Sequence, residues 1–201
     1  MNIKQYDYCL VIDLEATCCD DNHTVPRSEM EIIEIGAVMV ETQNHTPVDE
    51  FQTFIKPVRH PILTEFCQQL TSITQTQVGQ APLYPDAINN LKTWLSQYSD
   101  YHLIWGSWGD FDRKQFKQDS QFHHSPFPIG YSHINLKKMF AKTQGLKGRY
   151  GMPEALKLAN LPLEGTHHRG IDDTRNIVKL MPYVFGCKQL QHSMLNTDFK
   201  V

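Results

Sequence analysis

The 201-residue chain contains no C-x-x-C or H-x-x-x-H pair, and its five cysteines, two of them the neighbours Cys18 and Cys19, follow no repeated spacing. That pattern argues against a zinc site and a disulfide framework, and scattered thiols in odd number point to a reducing, cytoplasmic setting. No apolar run approaches the roughly 20 residues of a membrane span, and no basic segment leads into an apolar core at the N-terminus. Neither a membrane anchor nor a leader is expected. Internal repeats, low-complexity tracts and linker-like stretches are also missing. With 40% hydrophobic residues the chain can bury one good core, so one domain is expected over 1–201, with its core at about 7–185 and a polar tail at 186–201. The net charge of −3 gives no general attraction for nucleic acid or acidic membranes. Acid is nonetheless absent between Asp119 and Glu154, an interval that holds Lys137, Lys138, Lys142, Lys147 and Arg149, with Arg113, Lys114 and Lys117 just before it.

What is present is most informative in Leu10-Val11-Ile12-Asp13-Leu14-Glu15, where two carboxylates interrupt an apolar run. A strand alternates its side chains, so Asp13 and Glu15 share one face while Leu10, Ile12 and Leu14 take the other. The unalternating stretch before them suits a central strand covered on both faces. Two acids at the end of such a strand repel each other and lose hydration, which is costly without a cation or a shared proton. A metal is the expected compensation, and a basic flank beside it would suit a phosphodiester substrate.

Strands are predicted at 7–14, 32–40, 50–55, 103–105 and 129–134, the second and third joined by a hairpin. Helices are predicted around 62–70, 74–78, 85–98, 112–118, 135–144, 152–160 and 172–185, the 85–98 segment being the clearest amphipathic one. Trp94 and Trp105 are expected in the core. Three strands followed by alternating helices and strands imply an α/β fold with a sheet of mixed direction.

Two further segments carry acids. Trp105 to Asp112 is a glycine-bearing, aromatic passage from strand to helix, the kind of junction where open sheets bind ligands. It offers both Asp110 and Asp112, and helix capping is the plainer use of either. In His167-His168-Arg169-Gly170-Ile171-Asp172-Asp173, helical steps from Asp173 reach Ile177, Leu180 and Val184, whereas steps from Asp172 reach Asn176, Lys179 and Tyr183. Asp173 is therefore expected to point inward and Asp172 to cap the helix or meet solvent. The glycine-containing loop can fold His168 over the same place, while no other histidine has a visible partner. Each signal alone has a structural explanation; the order D-x-E, then D, then H-x4-D specifies one site.

These residues resemble the DEDDh family of 3′–5′ exonucleases, a ribonuclease-H-like group. Val11-Ile12-Asp13-Leu14-Glu15-Ala16-Thr17-Cys18 resembles its first motif in the form used by the histone-mRNA stem-loop exonuclease and its RNA-interference-regulating relatives. Glu31 to Ala37 is similar to the second strand of that branch, Phe66 to Gln75 to the segment after the third, and His168 to Ile177 to the last motif. The Ala-Thr-Cys after Glu15, and Trp108 in place of an asparagine, favour this branch over DNA proofreading enzymes. Phe111 before Asp112 and Phe116 after it match the family's second acid, with Asp110 in reserve.

The resemblance implies a ribonuclease-H-like mixed five-stranded sheet with helices on both faces, forming a single exonuclease domain. It implies two Mg²⁺ ions, with Mn²⁺ as a substitute, held by Asp13, Glu15, Asp112 and Asp173, and His168 as general base. It also implies that Phe66, Leu70 and Phe111 enclose the terminal base, with Ala16 and Thr17 beside the terminal ribose. The expected partner is single-stranded RNA or DNA with a free 3′ end, the product a nucleoside 5′-monophosphate, and no membrane is involved. A single-stranded DNA exonuclease of proofreading or repair type and a non-catalytic nucleic-acid-binding module are the competing readings.

Overall fold

The computed structural model describes residues 2–21 and 23–191, so most of the expected C-terminal tail lies outside the described residues. After a single 3₁₀ turn, three strands follow in succession: β1 (Tyr8–Ala16), β2 (Ile32–Glu41) and β3 (Pro47–Phe54). Helices α1 (Glu65–Thr71), α2 (Gln75–Gln80) and α3 (Tyr84–Ser96) lead to β4 (Leu103–Ser107) and α4 (Phe111–Phe122). The chain continues through β5 (His133–Asn135), α5 (Leu136–Thr143), α6 (Met152–Leu158) and α7 (Gly170–Val184). The sheet order is β3-β2-β1-β4-β5. The β1–β2 and β2–β3 pairs are antiparallel, and β1–β4 and β4–β5 are parallel. This is the expected mixed five-stranded sheet, with β1 at its centre.

Alternation along β1 divides the core. Leu10, Ile12 and Leu14 pack with Tyr84, Ile88 and Leu91 of α3 and Phe116 of α4. Cys9 and Val11 face the other way, against Phe140, Leu156, Ile177 and Met181 of α5 to α7. Helices α1 and α2 cover a smaller cluster around Ile33, Cys67, Ile73 and Val78. Leu190 extends the α7 side of the core beyond residue 185 and donates its amide to Gln144. Among the described residues, no helix is long and apolar enough to cross a membrane.

Two differences from the sequence reading have local causes. The expected strand over 129–134 shrinks to His133–Asn135: the ladder to β4 starts only at His133, opposite Trp105, while Ile129 turns into the α3–α4 cluster and the Tyr131 carbonyl accepts the Trp105 indole N–H at 3.1 Å. Trp105 is buried as expected, but Trp94 is only partly buried and donates its indole N–H to Asp49 at 2.8 Å.

The contact that fixes α7 is made by bare backbone. Gly36 stands opposite Asp13 in the β1–β2 ladder, and a Cβ at position 36 would sit 2.1 Å from the Gly170 carbonyl carbon. Thr174 Oγ1 donates to the Gly36 carbonyl at 3.0 Å and to the Gly170 carbonyl at 2.7 Å. Helix α7 has no side-chain cap of its own; Glu34 of β2 accepts the Gly170 amide at 3.0 Å and pairs with Arg169 Nε at 3.1 Å. A carboxylate at that end also complements the helix dipole. A Gly36→Ala variant is expected to lose about 3 kcal/mol of stability in urea unfolding, since the helix would have to lift off the sheet; a loss below about 1 kcal/mol would show the contact to be slack.

Candidate metal and hydrolytic site

Three elements converge at the end of β1. Carboxylate oxygens of Asp13 and Glu15, two residues apart on the strand, lie with an oxygen of Asp173 within 4.8 Å of one another. Asp173 is in the first turn of α7 and only 5% exposed, so the inward direction read from its helical stripe holds. Asp172 turns away: it accepts the Thr166 amide at 3.0 Å and pairs with Arg175 at 3.1 Å, closing the loop before the helix.

Of Asp110 and Asp112, it is Asp112 that the fold brings against β1. Asp112 is 4% exposed and accepts the Leu14 amide at 3.1 Å, so it lies against β1 between the two strand acids. Asp110 occupies the cap position of α4, accepts from Asn135 Nδ2 at 2.9 Å and faces Arg113. Asp112 belongs to the same electrostatic cluster, since its charge raises the Asp13 pKa.

Burial, followed by mutual repulsion, pushes the strand acids up: Asp13 well above the usual carboxylate range and Glu15 to about 9. Burial raises Asp112 to about 6 and also raises Asp173. No donor of the described residues relieves Asp13 or Glu15, and the nearby Arg169 is committed to Glu34. An all-oxygen, acid-rich cage without a cationic side chain fits a hard divalent ion.

His168 adopts a left-handed backbone, φ 64°, and donates its amide to Asp173 Oδ2 at 3.1 Å. Burial lowers its ring pKa, with a further contribution from His167, which keeps the imidazole neutral near pH 7. His167, to which the sequence assigned no partner, places Nδ1 2.9 Å from Asp173 Oδ2 and stacks on the His168 ring at 3.9 Å. The adjacent pair of histidines was the available signal. His60 and His133 also have partners, Glu29 and the Ser107 hydroxyl, each at 3.0 Å.

Phe66 and Leu70 lie one turn apart on α1 and are 37% and 36% exposed, and Phe111 is 47% exposed at the start of α4. None of the three is core. Helix α1 is stapled to the end of β1, Thr64 Oγ1 donating to the Cys18 carbonyl at 2.7 Å. Ala16 and Thr17 are buried. The Thr17 hydroxyl accepts the Glu31 amide at 2.9 Å, so it also helps hold the ends of β1 and β2 together.

The exonuclease family (RNase_T) matches residues 10–181. Human 3′-5′ exoribonuclease 1 is 30% identical over 186 residues, covering 87% of this chain and 51% of the relative. The probable 3′-5′ exonuclease KapD of Bacillus subtilis (strain 168) is 31% identical over 180 residues, covering 90% of this chain and 85% of the relative. The chain thus spans about half the length of the human relative and most of the bacterial one. The nuclease domain of 3′hExo, a DEDDh family member bound to rAMP, superposes with a TM-score of 0.78 at 27% identity over 89% of this chain and 90% of that one. A 3′-exonuclease that recognises a histone mRNA stem-loop gives a TM-score of 0.82 at 24% identity over 98% and 73% of the two chains, a likeness of fold.

Carboxyl pKa values raised in the folded state mean that, without a cation, the folded chain holds protons that the unfolded chain releases. This contribution to stability is complete below the ordinary carboxylate range. It is lost as pH rises through the folded values, about 6 for Asp112 and about 9 for Glu15. In chelator the thermal midpoint should therefore fall between about pH 5 and about pH 9, and the increment from added Mg²⁺ or Mn²⁺ should grow over the same interval. An increment that does not change with pH would exclude proton–metal competition at these acids.

Proposed function

Because the chain belongs to the exonuclease family, whose match spans residues 10–181, we propose that it is a metal-dependent enzyme that removes nucleoside 5′-monophosphates from the free 3′ end of single-stranded RNA. The observation that carries this reading is the meeting of Asp13, Glu15 and Asp173 beside His168. RNA is favoured because relatives covering most of this chain are exoribonucleases by name and the DEDDh neighbour holds rAMP.

Asp13, Glu15 and Asp173 would hold a divalent ion, and Asp112 would help hold a second. Two such ions, magnesium with manganese as a substitute, supply the Lewis acidity that makes water nucleophilic and offsets charge on the leaving 3′ oxygen. The neutral imidazole of His168 takes the proton of the attacking water as general base. The water oxygen bonds to the terminal phosphorus while the bond to the preceding nucleotide's 3′ oxygen breaks, so the phosphate leaves on the 5′ carbon of the released nucleotide. His167 holds the Asp173 carboxylate and, through the stacked ring, orients His168. Phe66, Leu70 and Phe111 enclose the terminal base from two helices, and Ala16 and Thr17 form the wall beside its ribose. The residues serve one domain, and free cysteines suit a reducing compartment such as the cytoplasm.

Incubating end-labelled single-stranded RNA and DNA with Mg²⁺ and resolving products nucleotide by nucleotide tests this reading. Stepwise shortening from the 3′ end, faster on RNA, is expected; faster shortening of DNA would transfer the enzyme to the repair class. A blocked 3′ end should stop the reaction, and cutting of a circular strand would instead mark an endonuclease. His168→Ala should lower kcat on the order of a hundredfold while leaving the metal-induced thermal shift in place. Full activity in that variant would remove the imidazole from the chemistry. Asp13→Asn should abolish turnover.

A further inference from the structure

The outward face of α4, leading away from Asp112, carries cations without carboxylates. Two open depressions lie along it and share Lys114 and Gln118: one of about 370 Å³ bordered by Arg27 and Phe111, the other of about 600 Å³ bordered by Arg59, Lys117 and Phe122. Among the described residues, no acidic side chain lines either one. In a chain of net charge −3, that is a local concentration rather than the general surface.

Arg59 is held in place before any ligand arrives. Its guanidinium lies 3.5 Å over the Phe122 ring, Nη1 donates to the Ser28 carbonyl at 3.0 Å, and its backbone amide donates to the buried Glu31 carboxylate at 2.7 Å. Lys114 and Lys117 are exposed one turn apart. Among the described residues neither they nor Arg27 and Arg59 form an ion pair. Their charges are therefore available to an outside anion. The face begins at Phe111, adjacent in sequence to Asp112, and at 1.5 Å per residue reaches Phe122 about 16 Å further on.

We propose that this face is the track for the strand upstream of the scissile 3′ end. Single-stranded nucleic acid lies along α4, its phosphates on Lys114 and Lys117, with a base stacked on the fixed Arg59 guanidinium at the far end. Cations interleaved with aromatic surface, leading out of the acid cage, match a polyanion carrying flat bases better than an acidic protein segment. The inference rests on the exonuclease reading and extends it: substrate is gripped several nucleotides away from the bond that breaks, so affinity grows with length.

The test uses the K114E/K117E double variant, whose changes lie on the exposed side of α4. Binding of a single-stranded RNA of about 12 nucleotides is measured in chelator, where nothing turns over. Its Kd should rise at least about tenfold, and the slope of log Kd against log salt should decrease by about 1.4, the value for two lost phosphate contacts on a single strand. With Mg²⁺ present, KM for that RNA should rise while kcat holds, and KM for a dinucleotide, which spans at most the first step of the face, should rise much less. Unaltered binding and KM for the longer RNA would overturn the proposal, as would a proportional loss on the dinucleotide. Tighter binding of an acidic peptide than of RNA to the native protein would also overturn it. Failure of the catalytic reading looks different: the native protein would hydrolyse neither substrate with metal, while Kd in chelator still responded to the lysines.

Discussion

The touching backbones of Gly36 and Gly170 set the position of everything that acts. Residue 36 stands opposite Asp13 in the sheet, and residue 170 begins the helix that carries Asp173 one turn later. With no side chain between them, the helix start reaches the strand pair closely enough for Asp173 to join Asp13 and Glu15. Glu34, Arg169 and Thr174 then lock the crossing through charge and hydroxyl. A larger residue at either glycine would separate the acids as well as loosen the fold.

The acids along β1 and β2 fall into two classes by the company they keep. Glu31 accepts three successive amides, from Val58, Arg59 and His60. Glu34 accepts from Gln52, Arg169 and Gly170. Both are satisfied by donors, as a structural carboxylate must be. Among the described residues, Asp13 and Glu15 have no such donors, and they stand among like charges that raise their pKa values. That contrast separates acids satisfied by the chain's own donors from acids whose repulsion only a cation or bound protons would relieve.

Much of this was legible from residue order. Alternation in Tyr8 to Ala16 put Asp13 and Glu15 on one face, and the Ile177-Leu180-Val184 stripe turned Asp173 inward, because both inferences need only local geometry. The family resemblance read from the motifs is borne out, and it was what separated Asp112 from Asp110, since local spacing suits either as a cap. The Glu34–Arg169 clamp and the Gly36–Gly170 contact escaped notice because their partners lie more than 130 residues apart. The anchoring of His167 on Asp173 was missed for a different reason: that loop has no periodicity from which to read direction. At 129–132 the apolar residues serve the α3–α4 cluster rather than the ladder to β4.

The cage draws on both ends of the sequence order. Asp13 and Glu15 come from the first strand to be made, Asp112 from the middle, and His168 and Asp173 from the loop and helix α7 near the end of the described residues. Domains emerging during synthesis complete their packing only when late elements arrive. A nascent chain that has built its sheet but not yet seated its final helix would carry acids without the fourth wall or the imidazole. Such an intermediate would lack the assembled site until residues 167–184 are in place.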